Sequence, residues 1–266
     1  MSMIQSGKDG IPMATWIPGE FAGAQAVFGK LHGLLRVVDG DFNVQRNVMT
    51  KTMYVASKLA LVELHSKHYE TDYRKFEKEV VVEKTLPRMR SGAEKESDEA
   101  LHVPTLNMHV EAFLSQFKST LDMLPDLIAA ALGGRWRPPQ TFGEGGDKVL
   151  SYIRKTIGQA HAQALVPLAK YIETQQEWLK KIIKERVDIS HYHPLDWPSP
   201  IVRTHWDDTK EGAMKADRME IVKHPTAPGG KGVIEYLAET YGRLEEFCLN
   251  VIDLVTAALL QVKEGA

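Results

Sequence analysis

The chain has 266 residues, 43% of them hydrophobic and 26% charged, with a formal net charge of −2. This composition supports a sizeable core, and it excludes a low-complexity chain or one drawn by a global field to nucleic acid or membrane. The single cysteine, Cys248, excludes an internal disulfide and reads as a small core residue in a reducing compartment.

Residues 1 to about 19 read as an irregular arm, with Gly10, Pro12, Pro18 and Gly19. No basic stretch is followed by an apolar run, so no signal peptide is expected. Phe21, Val27, Phe28, Leu31, Leu34 and Leu35 recur at helical spacing, and Asp39-Gly40-Asp41 ends that helix. A longer helix is predicted from about Asn43 to the Tyr69–Tyr73 region. The Lys- and Glu-rich stretch from Arg74 to about Asp98 extends it at first, then turns to loop at Ser91-Gly92.

A third helix follows Pro104, carried by Val110, Phe113, Leu114, Phe117, Leu121, Leu124, Leu127 and Ile128. Pro125 is expected to kink it and Gly133-Gly134 to stop it. After a loop, Leu150, Tyr152 and Ile153 predict a short helix, and Gly158–Gln163 a bend before the next long one. From Pro194 to about Gly232 the prolines argue against helix, and Ile201–Trp206 and Met219–Val222 read as two short strands. Val233 to Val262 is a last long helix with Ile234, Leu237, Tyr241, Leu244, Val251, Leu254, Ala258 and Leu259 inward. The apolar runs Leu127–Leu132 and Val251–Leu260 are too short to cross a bilayer. The expectation is a cytoplasmic, all-α bundle of five or six helices, with a short irregular or β-hairpin insertion at about 194–232 before the last helix, in one domain over 20–266.

The helix before Pro194 carries an anomaly. At about 100° per residue, Leu168, Ile172, Leu179, Ile182 and Ile183 form one apolar stripe. Arg186 falls inside it, seven residues after Leu179, and Ser190 follows four later. A guanidinium facing a core is costly unless it is paired, lines a polar cleft or sits at an interface. His191 stands at spacing R-x4-H, and His193 two residues on. Arginine binds phosphate and histidine moves protons near neutral pH. Arg154/His161 and Arg218/His224 come close to the same pattern, so the spacing alone decides nothing. Gly158 interrupts the first of these, and the second lies in the Pro-rich segment.

Two long helices (about 43–73 and 106–132), a helix ending in R-x4-H at Arg186 and His191, a strand-like excursion and a last helix together resemble the HEPN superfamily over residues 40–262. The resemblance implies a compact helical bundle, homodimeric, acting as a metal-independent endoribonuclease of the defence or toxin type, with RNA as substrate, a protein antitoxin as a second partner and no cofactor. It assigns Arg186 and His191 as catalytic residues at a dimer interface. A polar residue often follows the arginine in active members; here Val187 does, with Asp188 next. In such chemistry the ribose 2′-hydroxyl is the nucleophile, His191 the general acid or base, and Arg186 the stabiliser of charge on phosphorus. Lys180, Lys184 and His193 are the candidate substrate-binding residues, with Lys181 beside them. The alternative is a catalytically silent HEPN-like module that binds nucleotide, RNA or protein. The bland reading of the arginine is an ion pair with Asp122 or Glu111.

A further alternative is a metal-binding bundle. His65 and His68 lie one turn apart on one helix face, His102 and His109 near a helix start. The Glu-x-x-His signature of di-metal bundles occurs once, at Glu99/His102, where two are needed, so surface or capping roles are expected and no metal ligand is assigned. Trp136, between Arg135 and Arg137, reads as a packing anchor. Phe142-Gly143-Glu144-Gly145-Gly146 lacks the strand–helix context and Lys-Ser/Thr of a phosphate loop, and Pro228–Gly232 reads as a flexible lead-in to the last helix.

Overall fold

A computed structural model describes residues 21–38, 40–82, 89–90, 96–100, 103–155, 157, 159–190, 198–208 and 214–264. The chain is mainly helical, with α1 (Ala22–Val37), α2 (Phe42–Val82), α3 (Pro104–Ala131), α4 (Asp147–Lys155), α5 (Gln159–Ala164), α6 (Val166–Ser190) and α7 (Val233–Glu264). Among the described residues, four strands, β1 (Met89–Arg90), β2 (Glu96–Ala100), β3 (Ile201–Asp208) and β4 (Met214–Lys223), make one antiparallel sheet in the order β1-β4-β3-β2. The all-α bundle with a hairpin before the last helix is the observed architecture. The N-terminal arm and the Ser91-Gly92 turn lie outside the described residues.

Local chemistry sets the helix ends. Asp41 caps α2, its Oδ1 accepting the Asn43 N–H at 2.7 Å and so satisfying one orphan donor of the first turn. Gly133 and Gly134 stop α3 at φ 80° and 68°, and the Gly134 N–H closes on the Ala129 carbonyl at 2.8 Å. Pro125 lies inside α3, which remains one element through it. The predicted bend at 158–163 is instead the short helix α5. α2 runs on to Val82, well past Tyr73.

The chain divides into two compact units: 1–63, 116–184 and 243–266 in one, and 64–115 and 185–242 in the other. In the first unit, the periodicity from Phe117 to Ile128 becomes burial: Phe117, Leu121 and Leu124 are fully enclosed. The aromatic core centres on Phe247 of α7. Its ring meets Phe142 edge-on at 5.8 Å, stacks on Tyr171 at 5.6 Å and meets Trp178 at 6.2 Å, while Trp178 in turn meets Phe117 at 5.7 Å. Arg243 lies 4.6 Å over the Trp178 ring, a cation–π contact one turn before Phe247. The glycine-rich loop closes this core rather than cradling phosphate. Gly146 has φ 90°, and a Cβ there would lie 2.5 Å from Ile172 Cγ2, so only glycine lets the loop approach α6 this closely. Cys248 is fully buried, and burial pushes its thiol up to about 12. That is a core thiol, not a nucleophile.

The inward face of α7 differs in part from the predicted one. Leu237, Leu244, Val251, Ala258 and Leu259 are buried as expected, but Ile234, Tyr241 and Leu254 are only half-buried. Tyr236, Phe247, Ile252 and Val255 take inward places instead.

In the second unit, Val202, Thr204 and Trp206 of β3 are buried on one sheet face. Arg203 and His205 alternate with them, as a two-residue period requires. Arg203 meets Asp98 across the β2–β3 pair through two hydrogen bonds, 2.7 and 3.0 Å, in the register that sets those residues opposite each other. These bonds hold the Asp98 carboxyl below its usual range.

Replacing Phe247 by alanine should therefore destabilise the fold by about 3–5 kcal/mol, and Phe247→Leu by clearly less. Urea denaturation checks this through the midpoint at unchanged slope.

Candidate functional site

The helix α6 supplies the anomalous arginine. Leu168, Ile172, Leu179, Ile182 and Ile183 are all buried, so the stripe is real. Arg186 is half-buried at its C-terminal end. No hydrogen bond or ion pair joins Arg186 to another described residue. The expected partner Asp122 is engaged elsewhere. It forms a close ion pair with Lys118, and its Oδ1 accepts the Phe142 N–H at 2.7 Å. The neighbouring Glu185 is bound from α7, its Oε2 accepting the Tyr236 hydroxyl. Burial first, and Glu185 second, raise the Tyr236 hydroxyl far above its ordinary value, so it stays a donor.

Lys180, Lys181 and Lys184 are exposed on the same helix. The stem of Lys180 packs on the glycine loop: a Cβ at Gly145 would lie 2.9 Å from its Cγ. α6 remains helical through Ser190. His191 and His193 lie just beyond, outside the described residues, as does His102. Glu99 is in β2, not in a loop.

Arg154 and His161, the first of the other matches to the motif, have separate partners. Arg154 is held by Glu173, while His161 sits 5.2 Å from the Trp136 ring. Trp136 is indeed anchored, its carbonyl accepting the Tyr152 hydroxyl at 3.1 Å. Arg218 is opposite His205 in the strand register. His224 instead joins Tyr73, with Tyr73 Oη 2.6 Å from His224 Nδ1. Burial pushes the Tyr73 phenol up to about 12, so it donates to the imidazole. The pair lines a largely apolar cleft of about 350 Å³ with Tyr69, Arg74, Pro225 and Val233.

The second cluster was only half legible. His65 and His68 are neighbours on α2, but the residue that organises them is His109 of α3. His109 is buried, with Nδ1 3.4 Å from His65 Nδ1 and Nε2 3.0 Å from Asp72 Oδ2. A carboxylate only accepts, so His109 Nε2 carries the proton that points at Asp72. His68 is exposed, its ring centroid 5.5 Å from that of His109. Burial, then His109 and His68, lower the proton affinity of His65. No sequence spacing links His65 to His109, which are 44 residues apart. Among the described residues, no group of three or more His, Cys, Asp or Glu is arranged to hold a metal ion, and no helix is long and apolar enough to cross a membrane.

Above about pH 6.5, His65 is neutral in both the folded and the unfolded chain. Below that value the unfolded chain takes up the proton first, so stability falls until the lower folded-state value is passed. Chemical denaturation at about pH 7.5 and about pH 5.5 should show a larger acid-side loss for the native chain than for His65→Asn. Compared with family models, with curated proteins and with solved structures, the chain finds no match.

Proposed function

We propose that this chain is a HEPN-like, metal-independent endoribonuclease that acts as a homodimer, with Arg186 and His191 as its catalytic pair. The observation that carries the reading is Arg186 itself: a half-buried arginine at the end of a buried stripe, with no hydrogen bond or ion pair to another described residue. Desolvating a guanidinium without an anion is unfavourable. A phosphate supplied from outside would satisfy it, with two parallel N–H donors to two oxygens. His191, the residue after α6, would exchange the proton of the ribose 2′-hydroxyl or of the leaving oxygen. Lys180, Lys184 and His193 would hold the flanking backbone.

One feature bears on the stoichiometry. Five residues of regular helix turn about 140° between Arg186 and His191, and α6 is helical through Ser190. If that helical path continued to His191, the two side chains of one chain would leave in divergent directions. A second copy would bring the histidine of one protomer to the arginine of the other. The same divergence favours the second reading, a silent module that binds RNA or nucleotide through Arg186 and turns nothing over. Val187, apolar beside the arginine, points the same way. A protein antitoxin, in the first reading, would cover the same arginine.

A mixed RNA pool incubated in EDTA should be cleaved by the native chain, and the rate should fall by about a hundredfold or more in Arg186→Ala and in His191→Ala. Equal cleavage by all three would remove the pair from catalysis. Light scattering at micromolar concentration should give twice the mass of the chain. Mixing Arg186→Ala with His191→Ala should restore part of the activity if the site is shared, because some mixed dimers hold one intact pair.

A further inference from the structure

We infer that His65 and His109 form an open, two-imidazole site for a borderline first-row divalent cation of the zinc class, with Asp72 orienting one ligand. The His109 side chain is only 7% exposed, and its ring is held from outside by Asp72. With the Nε2 proton committed to the carboxylate, the lone pair of neutral His109 lies on Nδ1, the atom that faces His65. Metal-bound histidines are held in this manner, by a carboxylate on the ring nitrogen that does not bind the metal.

Distance is the second observation. The two Nδ1 atoms are 3.4 Å apart. That is long for an N–H hydrogen bond, whose heavy atoms prefer about 2.7–3.2 Å. It equals the separation of two ligands about a tetrahedral zinc, where a metal–nitrogen bond of about 2.0–2.1 Å sets the nitrogens about 3.3–3.4 Å apart. The cluster is thus too open for a good direct bond and correctly spaced for a shared cation.

The third observation is access: His65 is half-buried on α2, so a cation can reach the pair from solvent. Two imidazoles leave two coordination positions for water or another donor, so the site is open and its affinity moderate. Imidazole nitrogens select zinc, copper or nickel over magnesium, which takes oxygen ligands. This site is separate from the Arg186 reading, whose cleavage in EDTA is unaffected by it.

The test uses the full chain without a histidine tag, stripped with EDTA and desalted. Titration calorimetry with Zn²⁺ should give one ion per chain, and Mg²⁺ should give no signal. His65→Ala should abolish binding, while His32→Ala, an exposed histidine on α1, should leave it unchanged. Asp72 is 40% exposed, so Asp72→Asn probes the site without opening the core. It should weaken binding about 10- to 100-fold. Zinc should also raise the melting temperature of the native chain and leave that of His65→Ala where it was. Absence of binding by the native chain, or full affinity in His65→Ala or in Asp72→Asn, overturns the inference.

Discussion

The ring contacts of Phe247 tie together the aromatic core of the first unit. One ring touches Phe142 from the glycine loop and Tyr171 and Trp178 from α6. Through Trp178 the contact reaches Phe117 of α3. Four segments, α3, the glycine loop, α6 and α7, thereby share one apolar centre. Such a centre is energetically dominant because large rings remove much surface from water and prefer edge-on or offset contact. The glycine loop follows from it: Phe142 reaches the core only because Gly146 offers no Cβ to Ile172. The position of α6 within the first unit follows in turn.

That dependence gives α6 two characters. Its first turns are held by hydrophobic burial on one face, through Leu168, Ile172 and Leu179. Its last described turn is held by polar chemistry, through the Tyr236–Glu185 hydrogen bond. Arg186 sits where the first regime gives way to the second. An arginine at such a boundary keeps its stem in apolar surroundings and its head available, which suits a group that must meet an anionic ligand.

Much of the architecture was legible because it is written in short-range periodicity. The α3 positions from Val110 to Ile128 declare a helix and then bury as one face. Gly133-Gly134 and Asp41 mark helix ends by backbone chemistry that needs no tertiary context. What failed to show was long-range. Glu96–Ala100 has little intrinsic strand preference, and only pairing with β3 makes it β2. On α7 the helical period is clear, but which residues face inward depends on the segments packed against it, which the local sequence does not encode. Of the candidate site, Arg186 was legible as a residue out of place on its stripe. The engagement of Asp122 by Lys118 and of His65 by His109 was not, because each depends on how separate segments pack.

The sheet order has a consequence for the behaviour of the chain in crowded solution. β1 and β2 are the outer strands. An outer strand offers unsatisfied amides and carbonyls to any extended chain that drifts alongside, the first step towards edge-to-edge aggregation. β1 has only two residues, too few to template a partner. β2 is longer, but three of its five residues are acidic, Glu96, Asp98 and Glu99. A second copy laid against it would set like charge on like charge. The β2 margin is thus guarded by repulsion, and the sheet can present that edge without recruiting a second copy.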